Sequence, residues 1–415
     1  MEKKASRLVV FDVEGVLLPK RRFLLFEVAA KLGPLTFLRF FFIGILYEIG
    51  LLSVESVMRR LFRLLKGMPM DKLFVQYGRL PLMYGATELF EKLRRHGFKT
   101  ALISSGLPRA FIEDLANRLG ADYASGLEIG IDNGHLTGEV WGDVLKPDGK
   151  AIALKKILER EGPSCHSCAV VADDRNNLPL LRLCETSIGY NPGFILRVKS
   201  NYVIGDDLSK VLPLLTGKAS TEDSRDLPQN KVLRELIHIS SISIPFVCTY
   251  LLSDHIVALL IMVVASIYTI SEFSRMLGNN LPIFSAITLK VADKSELQEF
   301  VTGPITYALG IVFSLLVFHP PISYASIAIL TLGDGSAAIF GKIFGKTVLP
   351  LNKGKSVEGS LIGLIFAFLG SILFVSPTKA LIGAVVGILA EYLPSPIDDN
   401  LTIPIVSGLV LTLTA

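Results

Sequence analysis

Residues Leu332–Leu361 read LGDGSAAIFGKIFGKTVLPLNKGKSVEGSL. This stretch joins two long apolar segments and carries Asp334, Glu358, four lysines and six glycines. Ionisable residues at the margins of membrane spans are costly and usually mark a site. Working outward, the C-terminal half is a series of apolar runs at about 236–252, 255–271, 302–318, 322–340, 356–375, 379–393 and 401–415. They predict an all-α polytopic membrane domain of about seven spans over 231–415. Several are shorter than the roughly 20 residues of a full crossing.

The polar breaks orient this half. Breaks 272–301, 341–355 and 394–400 carry Arg275, Lys290, Lys294, Lys342, Lys346, Lys353 and Lys355, whereas 253–254, 319–321 and 376–378 carry no lysine or arginine. The positive-inside rule puts the lysine-bearing breaks, and a soluble domain preceding them, in the cytoplasm. On that face lie Arg234, His238, Glu272, Asp334, Lys353, Lys355, Glu358, Glu391, Asp398 and Asp399. Interfacial anchoring accounts for Lys290 or Lys379, but poorly for Asp334 between Gly333 and Gly335 or for Asp398-Asp399. Glycines near Asp334 and Lys353-Gly354-Lys355 would let backbone amides approach an anion. The lysines answer phosphate charge, and the separated carboxylates suit Mg²⁺ on a nucleotide. No GxxxxGK[ST] phosphate loop is present.

The first 230 residues differ in kind, alternating apolar and charged stretches like a soluble α/β domain. Over the whole 415-residue chain 50% of residues are hydrophobic, with a mean hydropathy of +0.51. That is too apolar for an ordinary soluble protein. A net charge of +4 does not argue for nucleic-acid binding. Four cysteines are too few for a disulfide scaffold, and the Cys165–Cys168 pair lacks a second pair to complete a zinc site. The N-terminus has no signal-peptide pattern.

Residues 8–11, LVVF, predict a buried strand ending at Asp12-Val13-Glu14, where open α/β sheets bind ligands. Residues 20–85 read as helices. Within them LTFLRFFFIGILYEIGLL (35–52) is long enough for a span but holds Arg39 and Glu48. A packed helical insertion, or a basic surface dipping into a bilayer, both fit. The strand FKTALIS then delivers Ser104, DNGHLTGEV (132–140) reads as a hairpin, Lys146 and Lys150 precede a helix, and CAVVADD delivers Asp173 and Asp174. Carboxylates at two strand ends, a hydroxyl and a lysine make up a Mg²⁺-assisted phosphoryl-transfer site: one carboxylate attacks phosphorus, metal and lysine neutralise charge, and the hydroxyl holds a phosphate oxygen.

Residues 7–210 resemble the haloacid dehalogenase superfamily, and within it the phosphoserine-phosphatase-like group with a helical cap. FDVEGVL matches its first motif, LISSG its second, GKAIAL its third and VVADDRNN its fourth. The resemblance implies a Rossmann-like α/β fold, Asp12 as nucleophile, Glu14 as general acid/base, Ser104 and Lys150 on the phosphate (Lys146 in reserve), and Mg²⁺ at Asp12, Glu14, Asp173 and Asp174. The family often has a further Asp where this chain has Asn177.

Residues 230–415 resemble the dolichol kinase, phytol kinase and CTP-dependent diacylglycerol kinase family. The resemblance is carried by LRELIHI, SEFSR, ELQEFVTGPITYALG, LGDGSAAIFGKIFGK with NKGKSVEGS, and EYLPSPIDDNLTIPI, although Glu235 stands where a basic residue is common. It implies phosphoryl transfer from CTP (or ATP) to a lipid alcohol. Nucleotide and phosphate would be held by Arg234, Gly333, Asp334, Gly335, Lys353, Lys355, Ser356, Glu358 and Gly359, and metal by Asp334, Asp398 and Asp399. Domain limits expected from these readings are 1–215 (cap about 18–85), a linker over 216–230, and 231–415. Competing readings are a silent or lipid-sensing phosphatase-like module, cytidylyltransferase-like chemistry in the membrane half, and transport.

Overall fold

A computed structural model describes residues 7–20, 34–48, 51–161, 167–205, 207–217, 229–276, 278–279, 281–293, 296–393, 395 and 397–414. Most of the expected linker, together with Cys165 and Lys294, lies outside them. The chain forms two compact units, Met1–Ser220 and Thr221–Ala415.

The N-terminal unit is built on β1 (Arg7–Asp12), whose residues Leu8 to Phe11 are 0–1% exposed. A run apolar at every position suits a strand covered on both faces. Full burial of each such side chain contributes about 1.5–3 kcal/mol. The neighbours of β1 are β2 (Phe98–Pro108) and β5 (Ser167–Ala172), both parallel to it. Outside these lie β3 (Tyr123–Asp132), β4 (His135–Trp141), β6 (Thr186–Tyr190) and β7 (Tyr202–Ile204), giving the order β4-β3-β2-β1-β5-β6-β7. Among the described strand pairs, β3–β4 alone is antiparallel. Its turn, Asn133-Gly134, has φ of 46° and 77°, the two positive values of a type I′ hairpin.

Helices Ala86–Arg95, Arg109–Leu119 and Gly149–Glu161 pack with the sheet to complete the Rossmann-like α/β layer. The cap contributes helices Pro34–Glu48, Val54–Leu64 and Met70–Gly78. The described part of the apolar 35–52 stretch packs on this core, as a helical insertion would. Its helix has 15 residues, buries Phe40 completely and packs Ile43 and Tyr47 against the same core.

The C-terminal unit is helical. Among the described residues, Lys231–Tyr250, Asp254–Met276 and Ile322–Phe344 are long and apolar enough to cross a membrane. Gly303–Val317, Val357–Ser371, Pro377–Tyr392 and Asp399–Leu413 match the other predicted segments at 15–16 residues each. An additional helix, Pro282–Val291, occupies what reads in sequence as a polar break. Its apolar run is only 10 residues, too short to register as a span. Within Ile322–Phe344 the segment Ile329–Asp334 is wound as π-helix, an irregularity that often accompanies a functional position.

Candidate functional sites

In the N-terminal unit the strand register does the positioning. Asp12 pairs with Ile103 of β2, and Phe11 with Val171 of β5. Asp12, Ser104 and Asp173 therefore emerge together where the crossovers on either side of β1 diverge. Asp12 is 3% exposed and held from both sides. Its Oδ1 accepts from Val13 N at 2.8 Å and from Lys150 Nζ at 2.7 Å, and its Oδ2 accepts from Asn177 Nδ2. Lys150 also donates to Asn177 Oδ1 at 2.8 Å. Lys146 lies on the surface, paired with Asp143 at 2.7 Å, so of these two lysines it is Lys150 that reaches Asp12.

Glu14 is turned differently from Asp12. Ser104 Oγ donates to Glu14 Oε1 at 2.9 Å and accepts from the backbone N–H groups of Gly106 and Leu107. The Ser104 proton is thus directed to Glu14 here, not to a phosphate oxygen. Burial, with the nearby Asp12 charge second, pushes the Glu14 carboxyl up to about 7. Metal-capable oxygens converge elsewhere: those of Asp12, Asp173 and Asp174 lie within 4.8 Å of one another, and Glu14 is not in that group. Gly15 explains why the turn closes so tightly on this set. Its φ is +85°, and a Cβ there would stand 2.2 Å from Asp173 Oδ2. Burial pushes the Asp173 carboxyl well above the usual range, with Lys20 opposing. Burial acts the same way on Asp174, but Lys20 and Lys150 outweigh it and hold that carboxyl down. Asp173 Oδ1 is buried without a hydrogen-bond partner among the described residues. An all-oxygen set with an uncommitted buried oxygen suits a hard divalent cation such as Mg²⁺.

In the C-terminal unit a cleft of about 370 Å³ is lined by Lys231, Arg234, Lys342, Lys346, Lys353 and Lys355 against two carboxylates, Glu235 and Glu391. Lys355 is the hub. Its Nζ lies 2.8 Å from Glu391 Oε1, 2.8 Å from Asp399 Oδ2 and 3.6 Å from Asp334 Oδ1. Asp334, at the end of the π-helical turn, also lies with Glu235 and His238 in a group whose ligand atoms fall within 4.8 Å. The His238 ring stacks on Tyr307 at 4.1 Å, and Tyr307 Oη donates to His238 O.

Several residues expected at this site serve otherwise. Asp398 caps the final helix through Asn400 N at 3.0 Å. Glu358 accepts from Lys346 N, Thr347 N and Thr347 Oγ1, fixing the loop after Phe344. Ser356 lines the cleft and caps the next helix through Gly359 N. Gly333, Gly335 and Gly359 are packing positions rather than an anion cradle. A Cβ at these residues would meet Ala367 Cβ at 3.1 Å, Ile239 at 2.9 Å and Gly341 Cα at 2.7 Å. Glu272 is committed to Arg275 and to Val301 N at 2.9 Å, and Arg275 reaches the Leu297 and Glu299 carbonyls. This clamp secures the 296–301 segment and takes Glu272 out of the expected constellation.

Sequence reasoning missed Lys20, Lys231 and the central place of Glu391. One signal was available: Lys231, Arg234, Glu235 and His238 stand at i, i+3, i+4 and i+7, one face of a helix.

A buried carboxylate, a lysine and an acidic pair at the strand ends of a parallel sheet define the class: an α/β phosphoryl-transfer domain. The family model for haloacid dehalogenase-like hydrolases matches residues 9–182. A phosphoserine phosphatase of Streptococcus thermophilus is 31% identical over 168 residues, covering 40% of this chain and 77% of that relative. Through this unit the chain belongs to the haloacid dehalogenase-like hydrolases. The chain is also similar to the probable phytol kinase 1, chloroplastic, of Glycine max, at 30% identity over 212 residues, covering 46% of this chain and 69% of that relative. A solved structure described as a phospho-aspartyl intermediate analogue of phosphoserine phosphatase aligns at 26% identity with a TM-score of 0.46, covering 51% of this chain and 99% of that one. The chain covers 43% of the length of one curated phosphoserine phosphatase and 98% of another.

Proposed function

We propose that this protein is a membrane enzyme with two phosphoryl-transfer centres, a Mg²⁺-dependent phosphomonoester phosphatase and a nucleoside-triphosphate-dependent lipid-alcohol kinase. The observation that carries the first half is the grip on Asp12 by Lys150 and Asn177, with a carboxyl poised near neutrality at Glu14. Asp12 attacks phosphorus, and the ester P–O bond breaks as Glu14 gives its proton to the leaving oxygen. Water then attacks phosphorus, Glu14 takes the proton back, and the Asp12–phosphorus bond breaks. Lys150 holds the Asp12 carboxylate in place throughout. Asp12, Asp173 and Asp174 would hold Mg²⁺, which supplies charge neutralisation for the phosphoryl oxygens. The substrate is phosphoserine or a lipid phosphate, and relative rates on phosphoserine and a polyprenyl phosphate decide between them.

For the second half, the support is the cationic cleft at the end of apolar helices, with the likeness to phytol kinases. Helix Asp254–Met276 leaves Leu259, Leu260, Val264 and Ile270 51–64% exposed, a face suited to lipid. We read the cleft as the nucleotide-phosphate site. CTP as donor, a polyprenol or dolichol-type acceptor, and the cytoplasmic placement of the lysine-bearing helix ends follow from the family resemblance and the positive-inside rule. The acceptor oxygen attacks the terminal phosphorus, the bond to the nucleoside diphosphate breaks, and Asp334 takes the hydroxyl proton. Glu358 is already committed to the Lys346–Thr347 backbone. The test uses the full chain in detergent. Asp12→Asn should abolish aryl-phosphate hydrolysis yet retain ³²P transfer from labelled CTP or ATP to polyprenol, and Asp334→Asn should do the reverse. Wild-type protein that labels no lipid alcohol would sink the kinase half.

A further inference from the structure

Lys20 has no role in the chemistry above, yet it touches the metal-capable carboxylates. It lies at the exit of the β1 turn, ahead of the cap. Its Nζ is 3.0 Å from Asp173 Oδ2 and 3.3 Å from Asp174 Oδ2. The two ends of this contact differ in character. The Asp173 side chain is 5% exposed and its Oδ1 has no hydrogen-bond partner among the described residues, whereas the Lys20 side chain is 41% exposed. The oxygens of Asp12, Asp173 and Asp174 lie within 4.8 Å of one another, with Lys20 set against two of the three. Gly15, in a left-handed turn, leaves room for that same Asp173 Oδ2, where a Cβ would stand 2.2 Å away. A deeply set ligand group is therefore covered by a cation reaching in from the surface.

We propose that Lys20 is a tethered counter-cation that competes with a divalent metal ion for the Asp173–Asp174 pair. A Mg²⁺ ion binds carboxylate oxygens at about 2.0–2.1 Å. An ammonium group about 3 Å from the same Oδ2 atoms would then face a double positive charge at close range, and the two would repel. The two cations cannot share that edge. The ammonium is the cation that would move, because its flexible four-carbon stem is partly solvated. Tethering gives it an effective concentration on the order of millimolar, so it lowers apparent metal affinity without any free competitor. With metal absent, Lys20 offsets the mutual repulsion of Asp173 and Asp174. With metal present, it is released toward water at the mouth of the site.

This inference rests on the metal reading of Asp12, Asp173 and Asp174, and its test separates the two. Mn²⁺ binding to the full chain in detergent is followed by the electron paramagnetic resonance of free Mn²⁺, with the Asp173→Asn variant defining the signal that belongs to this site. Lys20→Met should tighten the Asp173-dependent site about tenfold, Lys20→Gln should do likewise, and Lys20→Arg should stay near wild type. Equal or weaker binding in both neutral variants overturns the role of Lys20 while keeping the metal site. Absence of any Asp173-dependent Mn²⁺ binding, in wild type and neutral variants alike, overturns the metal reading and this inference with it.

Discussion

Glu14 and Asp12 stand two positions apart on one turn, yet their surroundings differ. Asp12 is held by Lys150, and Glu14 by a neutral hydroxyl. Burial and the Asp12 charge raise the Glu14 carboxyl from 4.5 to about 7. A residue that must deliver a proton to a leaving group works only below that value, so hydrolysis should fall as pH rises through about 7. The pH profile of kcat/KM reads this limb directly. Glu14→Gln should slow turnover about 10²–10⁴-fold and remove the limb. The sign for stability follows from the same shift. A carboxyl raised in the folded state contributes stability fully below about pH 4.5, and that contribution is lost as pH climbs through about 7. In the other unit, Lys355→Met would strand the Glu391 carboxylate, whose side chain is 2% exposed. Leaving one buried charge unpaired costs about 3–5 kcal/mol. Lys355→Met should therefore lower the melting temperature of the C-terminal unit, and adding Glu391→Gln should restore part of it while kinase activity stays lost. Asn177 shows what sequence conveys at this scale. Spacing placed it four residues after Asp173, and the family pattern marked it as a departure. Only the structure shows an amide donating to Asp12 while accepting from Lys150, a pair of bonds that a carboxylate could not make.

At the level of elements, legibility followed the strength of local pattern. β1 and β5 were readable because β-branched runs ended in carboxylates, and the β3–β4 hairpin because Asn-Gly demands its turn. Strands β6 and β7 were not, at five and three residues with no alternation to betray them. Gly333, Gly335 and Gly359 read in sequence as an anion cradle because sequence gives composition but not neighbours. Gly359 sits where a Cβ would press on Gly341 Cα at 2.7 Å and Ala337 O at 2.8 Å, both backbone atoms that cannot step aside. Gly359→Val should force the Gly335–Phe344 and Val357–Ser371 helices apart and destabilise them by about 1–3 kcal/mol. Lipid-kinase activity should drop while aryl-phosphate hydrolysis holds, since the N-terminal unit is a compact body of its own. Thermal melting of the variant alongside both assays checks this.

Across the whole molecule, the two-part division was visible in composition, because charges thin out after about residue 236. The shortness of several apolar segments was also legible there, and the structure gives it a length. Gly303–Val317, Val357–Ser371 and Asp399–Leu413 have 15 residues each. At 1.5 Å per residue each is about 22 Å long, against about 30 Å for a typical hydrocarbon core. A bilayer crossed by these helices would thin locally, at a modest cost for each ångström of mismatch. Such thinning would lower the water boundary toward the cleft and shorten the distance a lipid hydroxyl must rise to meet it. Reconstituted in phosphatidylcholine vesicles of graded acyl length, the enzyme should phosphorylate its lipid alcohol fastest in thin bilayers and lose rate as chains lengthen, while hydrolysis of a soluble aryl phosphate stays level. The short helices would thereby make membrane thickness itself an input to catalysis.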